Sequence, residues 1–136
     1  MKINSVNGPT AVVNGSVDSV VLDCNFTLED KSELDTLVVK WFFKKDPQDI
    51  QDPQTAYQWI PGKKPKGLGP LQGRLNLDYR ASDDPAHMHR ALQIIRPTTD
   101  LSGEYRCQVG TFINDEAKSR TMLVYGKLFC GSYTYS

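Results

Sequence analysis

A surplus of charge of either sign is missing from this sequence: 16 Lys and Arg stand against 16 Asp and Glu in 136 residues. No global field draws the chain to nucleic acid or to an anionic membrane, so any binding must be local. Histidine is scarce as well. The two present, in His87-Met88-His89, would share one face of a strand, yet a metal centre needs at least a third ligand. Asp83 and Asp84 belong to the same loop and the cysteines are remote, so both histidines read as solvated loop residues. No metal or other cofactor is expected.

The parts of a catalytic site are also lacking. Serines fall in turns without a G-x-S-x-G context, the acids are dispersed, and no nucleophile stands beside a base. The chain is not expected to be an enzyme. Gly62-Lys63-Lys64-Pro65-Lys66-Gly67 has the composition of a phosphate-cradling loop without its spacing or a following helix. Its lysines read as a solvated edge that discourages sheet-to-sheet pairing, with a sulfated glycan or an acidic partner as the alternative use. No apolar run is long enough to cross a bilayer or to act as a leader behind Met1-Lys2-Ile3-Asn4. The expectation is a partial molecule, without its leader and downstream parts.

What is present suits one globular β-domain: 39% hydrophobic and 10% aromatic residues argue against disorder, and the length suffices to bury a two-sheet core. Strand signals recur between turn residues. Residues 10–13 read as a short edge strand ended by Asn14-Gly15. Ser19 to Phe26 alternates so that Val20, Leu22, Cys24 and Phe26 share the core face. A long polar loop, 27–35, precedes Leu37 to Phe43, where an inward Trp41 carries Leu37, Val39 and Phe43 with it. A charged loop, 44–55, leads to a strand at 56–60. Residues 63–73 read as loop or irregular edge. Residues 74–79, 90–95, 103–110 and 121–125 complete the strands, with Leu92 and Ile94 inward. Helix is expected only as a short turn near 98–102.

The pattern Cys24, Trp41, Tyr105, Cys107, with Asp100-Leu101-Ser102-Gly103-Glu104-Tyr105-Arg106-Cys107, resembles the immunoglobulin superfamily over residues 8 to 125. The resemblance implies an all-β, Greek-key, immunoglobulin-like β-sandwich with an inter-sheet disulfide between Cys24 and Cys107, Trp41 packed against it, and Tyr105 closing a corner. The 82 residues between the cysteines favour the variable type. Residues 1–7 are then a lead-in, 8–126 the domain, and 127–136 a tail. Many variable-type domains pair an arginine with an aspartate six residues before the second cysteine. Here Leu101 holds that position, so Arg74 either reaches Asp100 by a shifted turn or lacks the ion pair. A disulfide implies an extracellular or cell-surface setting, and two sequons, at Asn14 and Asn25, agree with it. Cys130 is left over, either an unused thiol or an intermolecular one.

Function is expected on the outer face of the sheet built from strands C (37–43), C′ (56–60), F (103–110) and G (121–125) of that family. Lys40, Phe42, Arg106 and Gln108 alternate outward there. Tyr57 and Trp59 flank them unless they fold inward as core, and Phe112 stands at the F–G tip. Aromatic residues and arginine dominate interface hot spots. Val38-Val39-Lys40-Trp41-Phe42, Tyr57-Gln58-Trp59-Ile60-Pro61 and Leu101 to Val109 together loosely resemble arthropod neural adhesion proteins of the Beaten path type. That likeness implies a membrane-associated or secreted glycoprotein of cell adhesion and axon guidance, whose partner is another immunoglobulin-superfamily receptor. A homodimer stays open. The alternatives are a soluble immune protein binding microbial or glycan surfaces through its loops, and an intracellular structural domain of the muscle type that needs no disulfide.

Overall fold

The computed structural model describes residues 1–45 and 52–126. Part of the charged loop at 44–55, the tail 127–136 and Cys130 lie outside the described residues. The chain is all-β, in two sheets joined by one disulfide, an arrangement consistent with a β-sandwich. One sheet holds β1 (Lys2–Asn7), β3 (Ser19–Thr27) and β7 (Leu92–Ile95) in the order β1-β3-β7. The other runs β2 (Ala11–Val13), β9 (Asp115–Tyr125), β8 (Gly103–Gly110), β4 (Val38–Lys44), β5 (Gln54–Trp59), β6 (Lys66–Gly67). The β2–β9 pair is parallel and the other pairs are antiparallel.

Alternation decides which side chains meet between the sheets. Successive residues of a strand point to opposite faces, and β3, β4 and β8 each bury every second residue. Val20, Leu22, Cys24 and Phe26 from β3 face Val39, Trp41 and Phe43 from β4 and Tyr105, Cys107 and Val109 from β8, all in one buried cluster. Cys24 and Cys107 are bonded, with their Cα atoms 6.3 Å apart. Trp41 is fully buried directly opposite Cys107 in the β4–β8 register. Its indole Nε1 donates to the Arg90 carbonyl at 3.0 Å, satisfying the ring's one polar atom. The Tyr105 hydroxyl donates to the Leu101 carbonyl at 2.6 Å, closing the corner around the 3-10 turn Thr99–Leu101. At that corner Gly103 leaves no space for a Cβ, which would press on the Lys44 carbonyl oxygen.

Several elements differ from the sequence-based expectation. Residues 1–7, expected as a lead-in, contain β1, because Met1 and Ile3 are buried in the core cluster. The outer edge of β1 is tied down by β9 side chains. Glu116 Oε1 accepts from the Ile3 amide at 2.8 Å, while Arg120 donates to the Val6 and Gly8 carbonyls. The last strand begins at Asp115, six residues before the expected start. Its first half is polar on both faces, so periodicity hides it, yet it pairs with β8 throughout. Conversely, 74–79 yields only an isolated bridge between Leu75 and Ile94. Asn76 stops it by turning the chain: its side-chain oxygen accepts from the Asp78 amide at 3.1 Å, a local bond that competes with a ladder.

The polar loop expected at 27–35 holds a 3-10 helix, Lys31–Thr36. Asp30 accepts from the Ser32 amide and Glu33 reaches back to the Asp30 amide, a capping box at the start of the turn. Arg74 does pair with Asp100, Nη1 to Oδ2 at 3.1 Å. The shift of the aspartate by one residue is absorbed by the 3-10 turn that contains it.

Removing the inter-sheet bond tests how much the core depends on it. Replacing both Cys24 and Cys107 by Ala is expected to cost on the order of 4 to 5 kcal/mol by loop closure, read as a lower urea midpoint with unchanged far-UV dichroism at zero denaturant. A loss near zero would mean that side-chain packing alone holds the sheets together.

Candidate functional site

The outer face of the six-stranded sheet follows from the same alternation. With Trp41, Tyr105 and Cys107 inward, Lys40, Phe42, Arg106 and Gln108 stand outward and half-buried. Register brings them together: Lys40 is opposite Gln108, and Phe42 is opposite Arg106. On the flanks, Gln58 adjoins Lys40 and Thr55 adjoins Phe42, while Ala117 adjoins Gln108 and Ser119 adjoins Arg106. The centre of the face is thus one aromatic ring and two cations among small and amide side chains. Among the described residues no ion pair engages Lys40 or Arg106. Where Gly110 lies opposite Val38 and Asp115, the missing side chain leaves a hollow of about 140 Å³, also lined by Lys40 and Gln108.

Tyr57 and Trp59 are not part of this face, and their expected place on it is corrected. They pair with Trp41 and Val39, both inward, so the register carries them into the core, where they are 3% and 2% exposed. A register shift between Trp41 and Phe42 buries Ala56 as well. The Tyr57 hydroxyl donates to the His89 carbonyl at 2.7 Å, and Trp59 meets the His89 ring edge-on at 5.8 Å. The histidines, read as solvated, are half-buried: His87 packs on Phe26 at 4.7 Å, and His89 Nδ1 donates to the Tyr79 carbonyl at 2.9 Å. A carbonyl only accepts, so the proton sits on Nδ1. Arg90 completes this segment with two bonds to the Asp23 carboxylate, at 2.9 and 3.1 Å.

Phe112 and Ile113 form the tip of the β8–β9 hairpin, 66% and 54% exposed. Two large apolar side chains at a hairpin tip serve no folding purpose, and Ile113 was not singled out by sequence. The tip is braced from below. The Phe112 amide donates to Thr36 Oγ1 at 2.9 Å, and the Thr111 hydroxyl donates to Glu33 Oε2 at 3.1 Å. Glu33 is the hub of that brace and is fully buried. It also accepts from the Met1 amino nitrogen at 2.8 Å and from the Glu29 and Asp30 amides at 2.9 and 3.1 Å. The Met1 amino group first, then these backbone amides and the Thr111 hydroxyl, overcome the opposing effect of burial and hold the carboxyl at about 2. A sequence signal for Glu33 did exist in the Asp-x-x-Glu spacing of the capping box.

Further along the same face, Leu123 and Tyr125 alternate outward beside Val13 of β2, at 38%, 39% and 43% exposure respectively. The sequons lie apart. Asn14 is half-buried in the turn after β2, and Asn25 is half-buried on the outer side of the three-stranded sheet. Among the described residues no group of three or more potential metal ligands occurs, and no helix is long and apolar enough to cross a membrane. No family model matches the chain, and no curated protein matches it.

Two outcomes test this geometry. Glu33 has a folded-state pKa below its ordinary 4.5, so the unfolded chain binds the extra proton between the two values and stability rises with pH there. Its contribution is complete above about 4.5 and is lost as pH falls towards about 2. Glu33→Gln should therefore flatten the acid limb of a Tm-against-pH curve; an unchanged limb would disprove the hub. Tyr57→Phe should cost about 1 kcal/mol through the lost bond to His89, measured by urea unfolding, because the hydroxyl is a core donor and not an interface group.

Proposed function

We propose that the chain is a variable-type immunoglobulin module of an extracellular or cell-surface recognition protein, binding a protein partner through the outer face of β9, β8, β4 and β5. The strand order, the Cys24–Cys107 bond and the Tyr105 corner support that fold type. The disulfide favours an oxidising compartment and counts against an intracellular domain of the muscle type. The resemblance to Beaten path adhesion proteins makes another immunoglobulin-superfamily receptor the expected partner.

The observation that carries the reading is the pair Phe42–Arg106, side by side at mid-sheet on the face turned away from the core. The ring is half-buried against its strand neighbours Thr55 and Arg106 and turns its remaining surface to solvent. Beside a guanidinium that no ion pair engages among the described residues, it has the makeup of an interface centre, where rigid aromatic area and planar donors are desolvated together. Lys40 and Gln108 form the next row, and the braced Phe112 extends the surface at one end.

The test is a binding screen of the multimerised domain against immunoglobulin-superfamily ectodomains, followed by Phe42→Asp and Arg106→Asp measured separately. Each is expected to weaken binding by about thirtyfold or more, the loss typical of a hot spot. Unchanged affinity for both would remove this face from consideration.

A further inference from the structure

At one side of the molecule the six-stranded sheet ends in β6. That edge strand has two residues, Lys66–Gly67, and the segment after it pairs with β7 of the other sheet through the Leu75–Ile94 bridge and a side-chain bond from Asn76 to Gln93. Beyond β6, the chain from 68 to 89 therefore runs as a 3-10 turn (Gly69–Leu71), that one bridge and turns. Two clefts result. One, of about 700 Å³, is bounded by Lys63, Lys64, Arg80, Leu77 and Met88, with Asp78 as its one carboxylate. The other, of about 430 Å³, runs past Lys66 and Gln72. Both are lined by Lys64, Pro65 and Leu77, so they adjoin and form a single trough.

The charges along this trough depart from the rest of the chain. The protein has no net charge, yet Lys63, Lys64, Lys66 and Arg80 converge here with Asp78 alone opposing them. All four cations are exposed, and no ion pair among the described residues engages any of them. Protection of a sheet edge explains lysines beside β6. It does not explain Arg80, which comes from the segment beyond and faces the same cleft. Between the cations the floor is apolar, from Leu77, Met88 and Pro65, which suits the flat faces of sugar rings.

We propose that this trough binds a linear sulfated glycan, its sulfates meeting Lys63, Lys64, Lys66 and Arg80 and its rings lying on Leu77 and Met88. Two adjoining clefts, with Lys63 and Arg80 in one, Lys66 in the other and Lys64 in both, match an extended polyanion better than a single small anion. The site goes beyond the protein-binding face and shares no residue with Lys40, Phe42, Arg106 or Gln108.

The probe is a size-fractionated heparin octasaccharide, with its desulfated form as control, measured by surface plasmon resonance at several salt concentrations. Binding of the sulfated form alone is expected, weakening steeply with salt. The triple variant Lys63→Ala/Lys64→Ala/Arg80→Ala should bind about tenfold more weakly or worse, with a shallower salt dependence, while Lys31→Ala/Lys118→Ala should bind as the unmodified protein does. All three substituted side chains are exposed, and unchanged urea midpoints would show that each variant is folded. No binding of the octasaccharide, equal loss in both variants, or binding only to phosphatidylserine vesicles would overturn the proposal. Phe42→Asp, in turn, should leave glycan binding intact, so failure of this site and failure of the partner face are separable.

Discussion

Two strands from different sheets, β3 and β8, are held at a fixed spacing by the bond between Cys24 and Cys107. Much of the interior is organised around it. The bond points both cysteines inward, and alternation then sends every second residue of their strands into the core and its neighbours to the surface. Trp41 lies opposite Cys107 and hands its one polar hydrogen to the Arg90 carbonyl. That donation ties the six-stranded sheet to the segment entering β7. Tyr57 does the same one strand further out, through the His89 carbonyl. The long connection between the sheets is therefore held by the polar atoms of two core rings, even where it forms almost no ladder.

The same inward choice creates the surface. Phe42 and Arg106 face outward because Trp41 and Cys107 cannot. At one end of the face, the hairpin tip is fixed by a buried carboxylate that gathers bonds from the N-terminus, the turn after β3 and the hairpin itself. A tip braced in this way has its backbone held in place before any contact, which would lower the entropic cost of binding in the proposed role. On the opposite flank, poor strand pairing after β6 leaves a cationic trough. The molecule thus offers a tightly paired, mostly flat face and a loosely paired, charged edge. Their chemistries differ because their backbones do.

Legibility in the sequence followed the strength of local pattern. Val20, Leu22, Cys24 and Phe26 announce their strand by strict alternation, and Leu92 and Ile94 do likewise; all are buried as expected. The outward set Lys40, Phe42, Arg106 and Gln108 is legible for the same reason, as the complement of an inward set. Pattern misled where two faces had the same character. Residues 115–120 carry no apolar alternation, so only the second half of the last strand is legible, and 74–79 alternates well but is ended by the local bond of Asn76. Tyr57 and Trp59 share a face at any register, but which face cannot be read from their own spacing.

By itself, the sequence determined the all-β class, the inward and outward sets of the central strands, and the few residues able to pin two sheets together, since each depends on neighbours two positions apart or on a side chain of singular chemistry. Tertiary structure alone decided that β5 turns its aromatic rings inward, that Met1 and Ile3 belong to the core, that Arg74 finds Asp100, and that Arg80 shares a trough with Lys63. Those outcomes rest on register between strands and on contacts between segments far apart in the chain. A one-residue change of pairing exchanges the two faces of a strand, and nothing local records which pairing is chosen.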